Sequence, residues 1–239
     1  MPELLVDNRG KVAVLLLAGE ILVGGKQNRV LKEDLLLPPS SGARNIYVYC
    51  VERGRWNEGR KDFESKSSFA QPGVRAYLMR KAPQSDVWSA VGRAAREAQA
   101  SSPTDSYQQI YEQPEVKAHL ADLERGLASA AAPGAYGAAA FTGSGLSGLD
   151  LFHAPALFAR EWPKLLRAHA VEAYRQPRPA EWPEATLRGR IEALLGAAAR
   201  TEGTLRGNAG VGQLFEFRLD RAQGAALLFE GRAVHTAIL

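Results

Sequence analysis

Apolar residues are spaced as in β-strands at both ends of this chain and as in α-helices through its middle. That division constrains the fold more than any single motif. Near the N-terminus, residues 11–17 form an almost wholly apolar run, which predicts a strand buried on both faces. A turn at Ala18-Gly19 leads into a short strand over 20–23, and Leu35–Leu37 is a third run, stopped by Pro38-Pro39. Residues 45–52 (NIYVYCVE) are rich in β-branched and aromatic types and read as the clearest strand. From 53 to 71 the sequence turns polar, which predicts a long loop.

The middle reads differently. Ser85 is a candidate cap for a helix carrying Val87, Trp88, Val91 and Ala95, and Pro114 opens another with Val116, Leu120, Leu123 and Leu127. A hairpin is expected over 138–152 around Gly143-Ser144-Gly145. A helix over 155–174 contains Pro163, which predicts a kink or restart, and a further helix spans 185–200. Three closing strands are expected over 212–219, 225–229 and 233–239. The fold class is therefore α+β: an antiparallel or mixed sheet from N- and C-terminal strands and a central hairpin, with four to five helices from the middle. Residues 1–239 suit one domain, with a sub-boundary at 128–138, where periodicity is lost among alanines and glycines. LLLAGEILVG, AAFTGSGLSGLDLF and ALLFEGRAVHTAIL share a strand–glycine–strand pattern, from a repeat or from the general likeness of hairpins.

Composition narrows the function classes. With 46% apolar and 23% charged residues the chain has an ordinary globular balance. No apolar run approaches the roughly 20 residues needed to cross a bilayer. No basic start precedes an apolar leader, so the expected location is cytoplasmic. A single cysteine excludes an internal disulfide, and the four histidines lack HxH or HExxH spacing, so no metal site is expected. The net charge of +4 permits a phosphate-bearing ligand without the concentrated basicity of a typical nucleic-acid binder.

The most unusual stretch is 19–56. Gly24-Gly25 precede Lys26, Gln27, Asn28 and Arg29, four hydrogen-bonding side chains of which two are cationic. Such a loop suits a phosphate or carboxylate, although it matches neither the P-loop nor the dinucleotide fingerprint. It also suits a solvated tight turn. Glu20 and Glu52, on neighbouring strands, are either an acid–base pair or partners of Lys26, Arg29 or Arg53. Cys50 is either a nucleophile activated by a base such as His235 or a buried structural thiol. Arg53, Arg55 and Trp56 suit stacking on a base or sugar, or a tryptophan lid over the core.

On these residues the chain resembles a known bacterial family, named for its association with ADP-ribosylglycohydrolases and rhodanese-phosphatase proteins. The segments LLLAGEILVGGKQNRVLKEDLLLP and YCVERGRW are similar to the family's GEELVGAKQNR-like and CVExGRW-like segments. SDVWSAV, GLDLFHAPALFAREWPKLLRAHAVEAY and GAALLFEGRAVHTAIL extend the likeness over nearly the whole chain. The resemblance implies a genomic link to ADP-ribose and NAD-derived metabolites, and no defined cofactor or reaction. It implies that the signature residues converge. Lys26 and Arg29 would then hold an anion, Gln27 and Asn28 with Arg55 and Trp56 would bind sugar or base, and Glu20, Glu52 and Cys50 would carry any catalysis. Two other readings stand beside it. One is a non-catalytic binding or assembly module with the same residues as a structural network. The other is a nucleic-acid binder using Arg53, Arg55, Arg60 and Lys61. Family members usually extend further before the first strand, which opens an N-terminal edge for homo-oligomer contact.

Overall fold

The structure is a computed structural model that describes residues 3–55, 62–127, 133–142, 145–174 and 182–239. Seven strands precede the first helix: β1 (Glu3–Val6), β2 (Val14–Leu16), β3 (Glu20–Gly24), β4 (Arg29–Leu31), β5 (Leu35–Leu37), β6 (Arg44–Cys50) and β7 (Phe63–Phe69). Helices α1 (Pro72–Met79), α2 (Gln84–Glu97), α3 (Gln108–Glu112) and α4 (Pro114–Leu127) follow. Next come β8 (Gly137–Thr142), β9 (Gly145–Phe152), α5 (Pro155–Ala173) and α6 (Glu184–Arg200). The chain closes with β10 (Gly203–Gly207), β11 (Gln213–Arg218), β12 (Gln223–Phe229) and β13 (Arg232–Ile238).

The α+β architecture is as the spacing predicts, and every strand pair described is antiparallel. The two ends of the chain nevertheless pair among themselves. One sheet has the order β1-β6-β4-β3-β7, a second β10-β11-β12-β13-β9-β8, and β2 pairs only with β5. The single bridge Leu36–Val211 ties the β2–β5 ribbon to the C-terminal half. Because β2 pairs with β5 and not with β3, the first of the three hairpin-like segments is no hairpin, and the apparent repeat dissolves.

Five local expectations are corrected. The strand expected over 11–17 is only Val14–Leu16, with Val12 and Val14 exposed and not buried on both faces, and β10 precedes the three expected closing strands. The loop expected over 53–71 contains β7, whose polar FESKSSF sequence lies along the edge of the first sheet, where only one side must be paired. Helix α2 starts after Pro83 with no side-chain cap, and Ser85 bonds Asp86 instead. Helix α5 runs without interruption through Pro163.

Burial explains the layering. Ile21, Val30, Tyr49 and Val51 of the first sheet face Val74, Leu78, Val87, Val91 and Ile110 of the helices. Leu31, Leu35, Ile46 and Val48 fill the opposite face under β2 and β5. In the second sheet Leu149, Phe217 and Ile238 receive Ile191, Leu194 and Leu195 of α6. The end of β3–β4–β6 and the seam between the two sheets are two of the places where polar groups meet the core.

Candidate functional site

At the end of the first sheet, β3 turns through Gly24 and Gly25, both at positive φ (144° and 52°). A Cβ on Gly24 would lie 2.2 Å from the Asp62 carbonyl oxygen, so only glycine fits. The turn delivers Gln27, Asn28 and Arg29 into the interior, while Lys26 stays exposed. Asn28 is the hub. Its backbone N–H donates to Glu52 Oε2 (2.9 Å) and its Nδ2 to Ser106 Oγ (3.0 Å). Its Oδ1 accepts from the Gly24 N–H (3.1 Å) and from Arg55 Nη2 (3.1 Å).

Glu52 pairs with Arg55 (2.8 Å) and accepts from Thr104 Oγ1 (2.7 Å). Burial pushes the Glu52 carboxyl up, but the hydrogen bonds from Arg55, the Asn28 N–H and Thr104 outweigh it and hold the group below the usual carboxylate range. Arg55 also donates to the Gly25 carbonyl (2.8 Å), which locks the glycine turn. Trp56 lies outside the described residues.

Arg29 is the exception in this frame. It is 8% exposed, and its Nη1 donates to Gln27 Oε1 (3.2 Å) and the Asn28 carbonyl (3.4 Å). Its Nε has no partner. Among the described residues no carboxylate ion-pairs with it. The other deeply buried charges all have an opposite charge at hand. Glu20 and Glu161 face Lys164, Glu33 faces Arg206, Glu52 faces Arg55, Arg75 faces Asp150, and Asp34 faces His235.

Of the remaining expected residues, Glu20 lies apart and Cys50, opposite Arg29 in the sheet, lies beside the frame. Glu20 starts β3, four residues before the glycine turn, or about 13 Å along the strand. It accepts from Ser65 Oγ (2.6 Å) and Lys164 Nζ (3.4 Å). Glu20 and Glu52 therefore share no pocket, and each has its own cation. The Cys50 thiol donates to the Glu52 carbonyl (3.0 Å), and Gln84 brackets the Cys50 backbone with two 2.9 Å bonds. His235 is not its partner, being engaged elsewhere.

That engagement forms a second polar centre, at the seam between the sheets. Buried His235 donates from Nδ1 to Asp34 (2.6 Å) and from Nε2 to Asp150 (3.1 Å). Arg75 grips Asp150 through both nitrogens of its fork (2.9 and 2.6 Å), and His169 approaches the same carboxylate at 3.8 Å. The Ala18 N–H donates to the other oxygen of Asp34 (2.8 Å). Burial disfavours a charged His235, yet Asp34 and Asp150 outweigh it and raise its pKa to about 9. Burial likewise acts against an ionised Asp150, and Arg75, His169 and His235 hold it well below the ordinary carboxylate range. Two carboxylates, one guanidinium and one imidazolium cancel.

The sequence analysis missed Asp34, Arg75 and Asp150. A usable signal existed: Asp150 in GLDLF and His235 in AVHTAIL are polar residues at inward positions of apolar strands.

No curated protein and no solved structure matches the chain. One family model matches it, over residues 1–239, under the description ARG and Rhodanese-Phosphatase-superfamily-associated Protein domain. With the signature segments folded into one hydrogen-bonded sheet end, the chain belongs to that family.

Proposed function

We propose that this protein is a binding module for a phosphorylated, nucleotide- or ADP-ribose-like metabolite, with the anion held at Arg29. One observation carries the proposal: Arg29 is buried without a counter-charge among the described residues. Burying an unpaired charge is costly, and an anionic ligand offsets that cost. A guanidinium with a free Nε edge suits two phosphate or carboxylate oxygens. Lys26, exposed three residues earlier, adds positive potential near the same sheet end. Asn28, Glu52 and Arg55 are satisfied by one another and serve as the frame. Glu20 and Cys50 take no part in ligand binding.

The cytoplasm is the setting this reading implies. No helix of the described residues is long and apolar enough to cross a membrane.

A second reading makes the network purely structural, and the mutual satisfaction of Asn28, Glu52 and Arg55 favours it. A thermal-shift screen with inorganic phosphate, ADP-ribose, NAD, nucleotides and sugar phosphates separates the two. A ligand at 100 times its Kd adds about 2.7 kcal/mol. Stabilisation that disappears in Arg29→Met supports binding. No stabilisation by any of these compounds leaves the structural reading.

A further inference from the structure

Beside the signature end lies a groove of about 780 Å³, within the size range of small-molecule sites. Its walls are one face of α2 (Ser85, Trp88, Ser89, Arg93 and Arg96 among its residues) and the loop over 100–106, and Arg53 stands at its head. Arg53 belongs to the CVERGRW segment, but nothing in the frame around Asn28 uses its side chain.

The Arg53 guanidinium carbon lies 5.4 Å from the Trp88 ring centroid. Arg93 is oriented by Tyr77, to whose hydroxyl it donates (2.8 Å). Among the described residues, none of Arg53, Arg93 and Arg96 is ion-paired, and Asp105 is the one carboxylate in the lining. Trp88 Nε1 is sealed from solvent and has no partner. The groove thus holds a planar cation backed by an indole, two further unpaired cations and a row of serine hydroxyls. An isolated phosphate would use only the cations. A planar ring joined to a phosphate would use all of it, stacking on the guanidinium that Trp88 supports.

We infer that this groove is the ring subsite for a small nucleotide-class ligand, with the base on Arg53 and Trp88 and with Arg93 and Arg96 adding positive potential beside it. The inference rests on the reading that the signature end binds a phosphorylated metabolite. Gln27 joins the two places: its Oε1 accepts from Arg29, and its Nε2 donates to the Arg53 carbonyl (3.4 Å).

The test compares ribose 5-phosphate with AMP by calorimetry on the full chain, in the native protein and in Arg53→Ala, Trp88→Phe and Arg29→Met. The Arg53 side chain is exposed, so its removal leaves the fold intact, and Trp88→Phe keeps an aromatic ring in place. The expected result is AMP binding at least about tenfold tighter than ribose 5-phosphate. That gain is lost in Arg53→Ala and reduced in Trp88→Phe, while the affinity for ribose 5-phosphate stays unchanged in both. Equal affinity for the two probes, or a gain that survives Arg53→Ala, overturns the groove inference and leaves the anion site standing. An AMP gain that needs Arg53 but survives Arg29→Met supports the groove and overturns the Arg29 reading. Binding of neither probe, or binding only of a single-stranded oligonucleotide, overturns both.

Discussion

At the end of the first sheet, Glu52 and Arg55 cancel while Arg29 is left over among the described residues. At the seam between the sheets, Asp34, Asp150, Arg75 and His235 cancel with nothing left over. Both centres are buried, and both are built from side chains of distant sequence segments. A charge-balanced cluster stabilises the fold once formed and needs no further charge, even where a single N–H such as Arg75 Nε is left without an acceptor. A buried cation without its counter-charge is a standing cost, tolerated where a ligand supplies the missing charge. Net charge, more than polarity or burial, therefore distinguishes the fastener from the proposed binding site.

The largest expected effect comes from unbalancing the fastener. Arg75→Met leaves the Asp150–His235–Asp34 chain with an excess negative charge, and urea denaturation should show a loss of about 3–5 kcal/mol. If the loss were under about 1 kcal/mol, the seam would not hold the two sheets together.

Next comes the pH dependence. The folded pKa of His235 is raised to about 9 from an ordinary 6.5, so the folded state retains a proton that the unfolded chain gives up. Its contribution is complete below pH 6.5 and declines as pH rises through about 9. The total is about 3 kcal/mol at 1.36 kcal/mol per pH unit. Asp150, held low, acts in the opposite direction, and its contribution is present above about pH 4 and is lost as pH falls further. Denaturation midpoints in buffers from pH 6 to 9 should therefore fall, and His235→Gln should flatten that decline.

Removing the leftover charge should cost far less than removing Arg75. Arg29→Met is expected to leave the free protein within about 1 kcal/mol of its original stability, or slightly above it, while abolishing phosphate binding. A loss as large as that of Arg75→Met would mean that Arg29 is compensated after all. The smallest effect is that of Cys50→Ala, which deletes one weak thiol hydrogen bond and should cost about 1 kcal/mol or less.

Much of the fold was legible in the sequence because it rests on local periodicity. The amphipathic spacing of α4 and α5 and the alternation of the closing strands carry their own evidence. Strand β7 was not legible, because a polar edge strand is defined by its pairing with β3 and not by its own residues. The pairing of β2 with β5 was hidden for the same reason: topology is a property of partners.

The site divides along similar lines. The convergence of Gln27, Asn28, Arg29, Glu52 and Arg55 could be expected from motif content. The separation of Glu20 from Glu52 could not, since it depends on which end of β3 each approaches. The seam was harder still. Asp34, Arg75, Asp150 and His235 are spread over some 200 residues, and only the packing of the two sheets brings them together.

The contrast between the two arginines can be observed directly through their Nε–H signals in ¹H–¹⁵N spectra, assigned with Arg29→Met and Arg75→Met. Titration with inorganic phosphate should move the Arg29 signal progressively to saturation while the Arg75 signal stays fixed. If the Arg29 signal were unmoved, or moved only in parallel with those of exposed arginines, the leftover charge at the sheet end would not be a ligand site.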